Sequence, residues 1–161
     1  MTQLSAGVRD YAGRTVDLLA FDDARPSGDT LLTQLMVKEG QSGALITGIE
    51  KLVQRFLLEL LTELGSLDYL QGRGTLFMTA LRAGVVRTSQ DLFSNFSSAE
   101  VDIRNNLRQE EELTDPDDER YGTSALLTAS LFGDTATLTI RIDSVAGESR
   151  TVIYPLRITT V

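Results

Sequence analysis

The sequence contains no cysteine, no histidine and no tryptophan. Without cysteine there is no disulfide framework and no thiolate nucleophile or sulfur ligand. Without histidine the commonest general base and zinc ligand is missing. Aromatics are few, four Tyr and six Phe, so flat surfaces for stacking on sugar rings are scarce. Positive charge is also short, with 15 Lys and Arg against 23 Asp and Glu and a net charge of −8. A duplex nucleic-acid binder needs a cationic face, so that class is set aside. The longest apolar stretch, Phe56 to Leu64, is broken by Glu59, Thr62 and Glu63, and no segment is expected to span a bilayer. The opening "MTQLSAGVRDYAGR" lacks the basic start and apolar run of a signal peptide. Three classes survive: carboxylate enzymes, oxygen-ligand metal sites, and proteins that work by binding alone.

What is present suits one globular domain. The chain has 161 residues, 42% of them hydrophobic, enough to bury a core without staples. Residues 1–45 read as an N-terminal arm with short strands. In it 1–14 are without period, "TVDLLAF" (15–21) is strand-like, "DDARPSGD" (22–29) is turn chemistry, and "TLLTQLMV" (30–37) suits a strand or a short helix. Residues 46–161 form the core domain.

The strongest element is a helix over 47–64. Thr47 and Glu50 have capping-box spacing, Ile49, Leu52, Val53, Phe56, Leu57, Leu60, Leu61 and Leu64 form an apolar stripe, and Gly65 suits a left-handed end. Three carboxylates, Glu59, Glu63 and Asp68, precede a Gly-rich turn. A retaining glycosidase needs two carboxyls about 5 Å apart, and Glu59 with Glu63 has helical spacing that meets this. The competing reading places Glu59 on the polar side in a surface pair with Arg55, and Glu63 at the edge of the stripe. Leu58, an apolar residue among Lys51, Gln54, Arg55 and Thr62, marks either a covered back face or a lone exposed leucine.

Next, "GRGTLFMTALRAG" (72–84) predicts a turn, a cap at Thr75 and a short helix; the lysine and preceding strand of a phosphate loop are missing. Thr88 with Asp91 and Ser97 with Glu100 predict two helices in tandem, 89–95 and 98–113. The second carries Glu100, Arg104, Arg108 and Glu112 as a surface ladder. "EEELTDPDDER" (110–120) lacks the alternation of a calcium loop and reads as a solvated acidic connector. The period then switches to two. Residues 124–132, 135–145 and 150–160 predict three strands joined by "GD" and "AGES". The fold class is therefore α+β, helices packed on a C-terminal three-stranded antiparallel meander. The last strand is expected at an edge, as Pro155 suits, with Thr151, Ile153 and Arg157 facing outward.

From about Ile46 to Val161 the chain resembles the small baseplate wedge proteins of contractile-tailed phages, a group once labelled tail-lysozyme-like. "LLTELGSLDYLQGRGTLF" (60–77) carries the likeness, followed by the helix, acidic segment and meander; "DLLAFDDARPSGD" (17–29) is similar to an N-terminal part peculiar to a subgroup. The family's Glu-Pro-Arg is replaced here by "DPDDERYG" (115–122), which keeps Glu119–Arg120 but moves the proline upstream to Pro116. The resemblance implies a structural, non-enzymatic subunit without cofactor, assembled in the host cytoplasm and resident in the tail baseplate of the virion. Its partners would be larger wedge proteins, the tail sheath, and tube or hub proteins, with neither nucleic acid nor membrane. Leu58, Glu119, Arg120, Thr151, Ile153 and Arg157 are the candidate contacts. The alternative is a carboxylate-dependent peptidoglycan hydrolase.

Overall fold

The computed structural model describes Arg14, Asp17, Leu18 and residues 45–158. The turn expected over 22–29 and the apolar run 30–37 lie outside the described residues. Of the strand expected over 15–21, β1 (Asp17–Leu18) is described, and it pairs antiparallel with β2 (Leu45–Ile46).

Helix α1 (Ile49–Leu61) forms on the expected stripe and buries Leu52, Val53, Phe56, Leu57 and Leu60. Both its ends differ from the sequence reading. Gly48, at φ 65°, is the N-cap, and no side chain caps the helix, so the Thr47–Glu50 box does not form. The Thr47 hydroxyl and the Gly48 amide instead donate to the Glu119 carboxylate, at 2.6 and 3.2 Å. The hydroxyl that would have accepted from the Glu50 amide is turned to donate to an ionised acceptor from a distant segment, a stronger bond than a neutral cap. At the other end the chain leaves the helix at Thr62, before Gly65. There Thr62 O accepts from Thr75 N (2.9 Å) and Leu64 N donates to Thr75 O (3.0 Å), so a parallel bridge replaces another helical turn.

Helix α2 (Phe77–Arg82) follows with Thr75 at its entry. The Thr75 hydroxyl accepts from Phe77 N and donates to Leu60 O, both at 3.2 Å, fixing α2 to the end of α1. Helix α3 (Ser89–Glu110) starts with the expected Thr88–Asp91 capping box. It is one helix of 22 residues, not two in tandem. Ser97 turns its hydroxyl back onto the Phe93 carbonyl (2.9 Å), a bond open to a mid-helix serine. Leu92, Phe96, Ala99, Ile103 and Leu107 form a buried stripe that runs through the position where a break was expected.

The fold is α+β with a C-terminal antiparallel meander, β3 (Tyr121–Phe132), β4 (Thr135–Ser144) and β5 (Ser149–Arg157), in that order. β3 begins at Tyr121, ahead of the expected 124, because a bulge next to Gly122 lets the strand continue. A Cβ at Gly122 would lie 2.9 Å from both the Asp143 and Ser144 carbonyl oxygens, so this close approach needs glycine. The inner face of β4, formed by Ala136, Leu138, Ile140 and Ile142, is fully buried and is flanked by Val152 and Leu156 of β5. α3 packs on β3, and α1 lies over β4 and β5. At the centre Phe56 stacks on Tyr121 (ring centroids 6.1 Å, interplanar angle 13°) and meets Phe96 at a tilt.

Candidate interaction surfaces

The three carboxylates of the α1 region have three different fates. Glu59 is only 5% exposed, although helical spacing put it on the polar side. Its Oε1 accepts from Arg73 Nε (2.7 Å), and its Oε2 accepts from Gly74 N (3.1 Å) and Asn106 Nδ2 (2.9 Å). The expected Arg55–Glu59 pair is absent, and Arg55 bonds Glu110 of α3 at 3.2 Å. The cause is the loop after α1, which folds back over that side of the helix. Gly74, at φ 88°, approaches Thr62 so closely that a Cβ would lie 2.4 Å from the Thr62 carbonyl oxygen. "GRG" is therefore a loop-closing turn, with Arg73 bridging Glu59 and Glu110. Glu63 is half-buried and paired with Arg82, whereas Asp68 is exposed at the loop tip. The polar side of α1 is covered again at Gln54, which is buried and donates to Asp17 Oδ2 at 2.9 Å. Leu58 stays outside this cover, 43% exposed.

The segment expected to be a solvated acidic connector is folded back at its end. Glu119 is buried and accepts from Lys51 Nζ at 2.9 Å, in addition to Thr47 and Gly48. Burial works against its charge, but the bonds from Thr47, Lys51 and Gly48 outweigh it and hold its pKa below the usual carboxylate value. Asp118 beside it pairs with Arg14. Arg120 bonds Asp117 at 3.0 Å, and its carbonyl accepts from Val145 N at 3.0 Å, tying the segment to the β4–β5 turn. Glu119 and Arg120, which the resemblance offers to a neighbouring subunit, thus make contacts within the chain. The ladder on α3 is altered in the same way. Glu100 pairs with Arg104 at 3.6 Å but also accepts from the Tyr121 hydroxyl at 2.7 Å. Burial first, and this bond next, push the tyrosine pKa up. Among the described residues no cluster of three or more Asp or Glu is placed to hold a metal ion, and no helix is long and apolar enough to cross a membrane.

β5 pairs with β4 on one side, and among the described residues no strand pairs with its other side. Ser144 N donates to Glu148 O at one end of the ladder, and Ile158 N donates to Asp134 O at the other. These bonds fix the even-numbered residues of β5 as those bonded to β4. Odd-numbered Thr151, Ile153, Pro155 and Arg157 therefore direct their backbone groups at the open edge. The side chains of Thr151, Ile153 and Arg157 are exposed, as the alternation predicts. Pro155 occupies an outward position, where its missing amide costs the ladder nothing.

Sequence spacing alone missed the two buried-carboxylate clamps, since their partners come from distant segments. Leu58, apolar among polar neighbours, was not a signal for them: it is 43% exposed, and the covered polar side of α1 runs through Gln54 and Glu59 instead. No family model matches the chain, and no curated protein or solved structure is significantly similar to it.

Proposed function

We propose that this protein is a structural subunit of a contractile-tail baseplate. It joins larger wedge proteins through the exposed side of α1 at Leu58 and seats the first sheath ring by strand addition at β5. The observation that carries this reading is the open β5 edge. It has an uninterrupted partner strand behind it, outward backbone groups at Thr151, Ile153 and Arg157, and no charged residue between Thr151 and Leu156. Main-chain hydrogen bonding to an extended segment is the chemistry such an edge offers. The resemblance over 46–161 supports this assembly and, with it, residence in the virion after assembly in the host cytoplasm.

The competing hydrolase needs two carboxyls free to act as acid and nucleophile. Glu59 has three donors and Glu63 its own arginine, so both have structural work to do. That supports binding over catalysis. Two experiments test the proposal. Purified protein is expected not to clear a peptidoglycan suspension; clearing that Glu63→Gln abolishes in a folded protein would establish the hydrolase. Thr151→Pro with Arg157→Pro removes outward amides while sparing the β4 ladder, and is expected to give complete baseplates and tubes without sheath. Particles with full-length sheath would overturn the seating role.

A further inference from the structure

The loop between α1 and α2 presents its apolar residues outward. Leu64, Leu67 and Leu70 are exposed, and Tyr69 is 99% exposed. The loop is nevertheless tightly built. At its base, Leu64 N and Thr75 N bond across to Thr75 O and Thr62 O, and Glu59 holds Arg73 and the Gly74 amide. Within it, Ser66 N donates to Glu63 O (3.0 Å), Leu70 N to Leu67 O (3.1 Å) and Arg73 N to Leu70 O (2.9 Å). The Glu59 clamp ties α1 to α3 through Asn106, but holding the loop itself in one conformation leaves its apolar side chains in water, where they add little to the chain's own core. Such order makes sense for a binding element, because an ordered backbone loses less entropy on docking, and a tyrosine among leucines is an effective anchor.

We infer that loop 63–73 is a preformed docking knob that inserts Leu67, Tyr69 and Leu70 into an apolar cleft of another protein, one with a lysine or arginine at its rim. The cation follows from Asp68, which lies between the anchors and is exposed at the tip. Inside an apolar cleft an unpaired carboxylate is strongly disfavoured, so the partner must supply its counter-charge. Asp68 also rules against other occupants. A two-fold contact between copies centred on the tip would set one Asp68 against the other, in chains that each carry a net charge of −8. A lipid surface would have to accept the carboxylate between the inserted side chains and would repel an acidic chain where its lipids are anionic. The inference goes beyond the baseplate reading and does not depend on it.

The test uses the full chain produced from its native genome, with the photo-crosslinker p-benzoylphenylalanine replacing Tyr69, and in a control replacing exposed Asn105. After irradiation the crosslinked peptides are sequenced. The expected result is one dominant adduct with a different protein, absent from the control, in an apolar segment with a basic residue close by. Adding Asp68→Lys is expected to cut its yield about tenfold through like-charge contact. An adduct between two copies of the chain, an adduct with lipid alone, or no adduct above the control overturns the knob. An unchanged yield with Asp68→Lys overturns the cationic rim. If the partner is not a tail protein the knob stands and the baseplate reading falls.

Discussion

Glu59 is a carboxylate whose removal leaves three donors facing a gap, so its loss costs more than the loss of an ordinary surface acid. Glu59→Ala is expected to lower stability by about 2–4 kcal/mol, since Arg73, Gly74 N and Asn106 lose their shared acceptor. Glu63→Gln, which breaks a part-exposed pair with Arg82, is expected to cost less than about 1 kcal/mol. Urea denaturation of both variants checks the contrast, and equal losses would deny Glu59 its clamping role. Glu119 makes a pH prediction. Its folded pKa is depressed below the reference of 4.5, so its contribution is full above that value and is lost as pH falls through the folded pKa. Glu119→Gln should therefore lower the urea midpoint more at about pH 7 than in acid below the folded pKa, where the wild-type carboxyl is itself protonated. These two residues were not legible in the sequence. Glu59 draws on Arg73 and Asn106, 14 and 47 positions away, and Glu119 reaches back 72 positions to Thr47. Helical periodicity sorts polar from apolar side chains but is silent on which polar ones the rest of the chain will cover.

At the level of elements, α1 has an inner stripe in the core and an outer Leu58 in solvent. Leu57→Ala or Leu60→Ala is expected to cost roughly 2–5 kcal/mol through lost burial and the cavity left behind. Leu58→Asp is expected to leave the isolated chain's melting temperature nearly unchanged while weakening assembly; a loss equal to that of Leu57→Asp would make Leu58 part of the chain's own core. The strands were readable because their alternation is local and their turns carry Gly and Asp. The helix ends were less so. Of the capping signatures, Thr88–Asp91 forms at the true start of α3, whereas Ser97–Glu100 lies within an unbroken buried stripe. A capping motif marks a boundary only where the apolar period also stops. Thr88→Ala should accordingly cost about 1 kcal/mol and Ser97→Ala almost nothing, as thermal melts will show.

Across the whole molecule, helices on one side and a meander on the other bury a single core between them, while what remains exposed falls into separate places. Leu58, the loop tip at Tyr69 and the β5 edge each present surface that the described residues leave uncovered. A sequence carries the plan of the core because burial imposes a period on it. It does not carry the partners, since a docking edge needs only backbone groups and leaves almost no side-chain signature beyond Pro155 and the exposed alternation of Thr151, Ile153 and Arg157. Strand addition at β5 is the central claim, and it is open to direct inspection. A cryo-EM map of the assembled tail, at a resolution that traces main chain, is expected to show an extended segment of a sheath-ring protein bonded to the outward amides of Thr151 and Ile153. A β5 edge that faces solvent in the assembled particle, or that is covered by this chain's own residues, would contradict it.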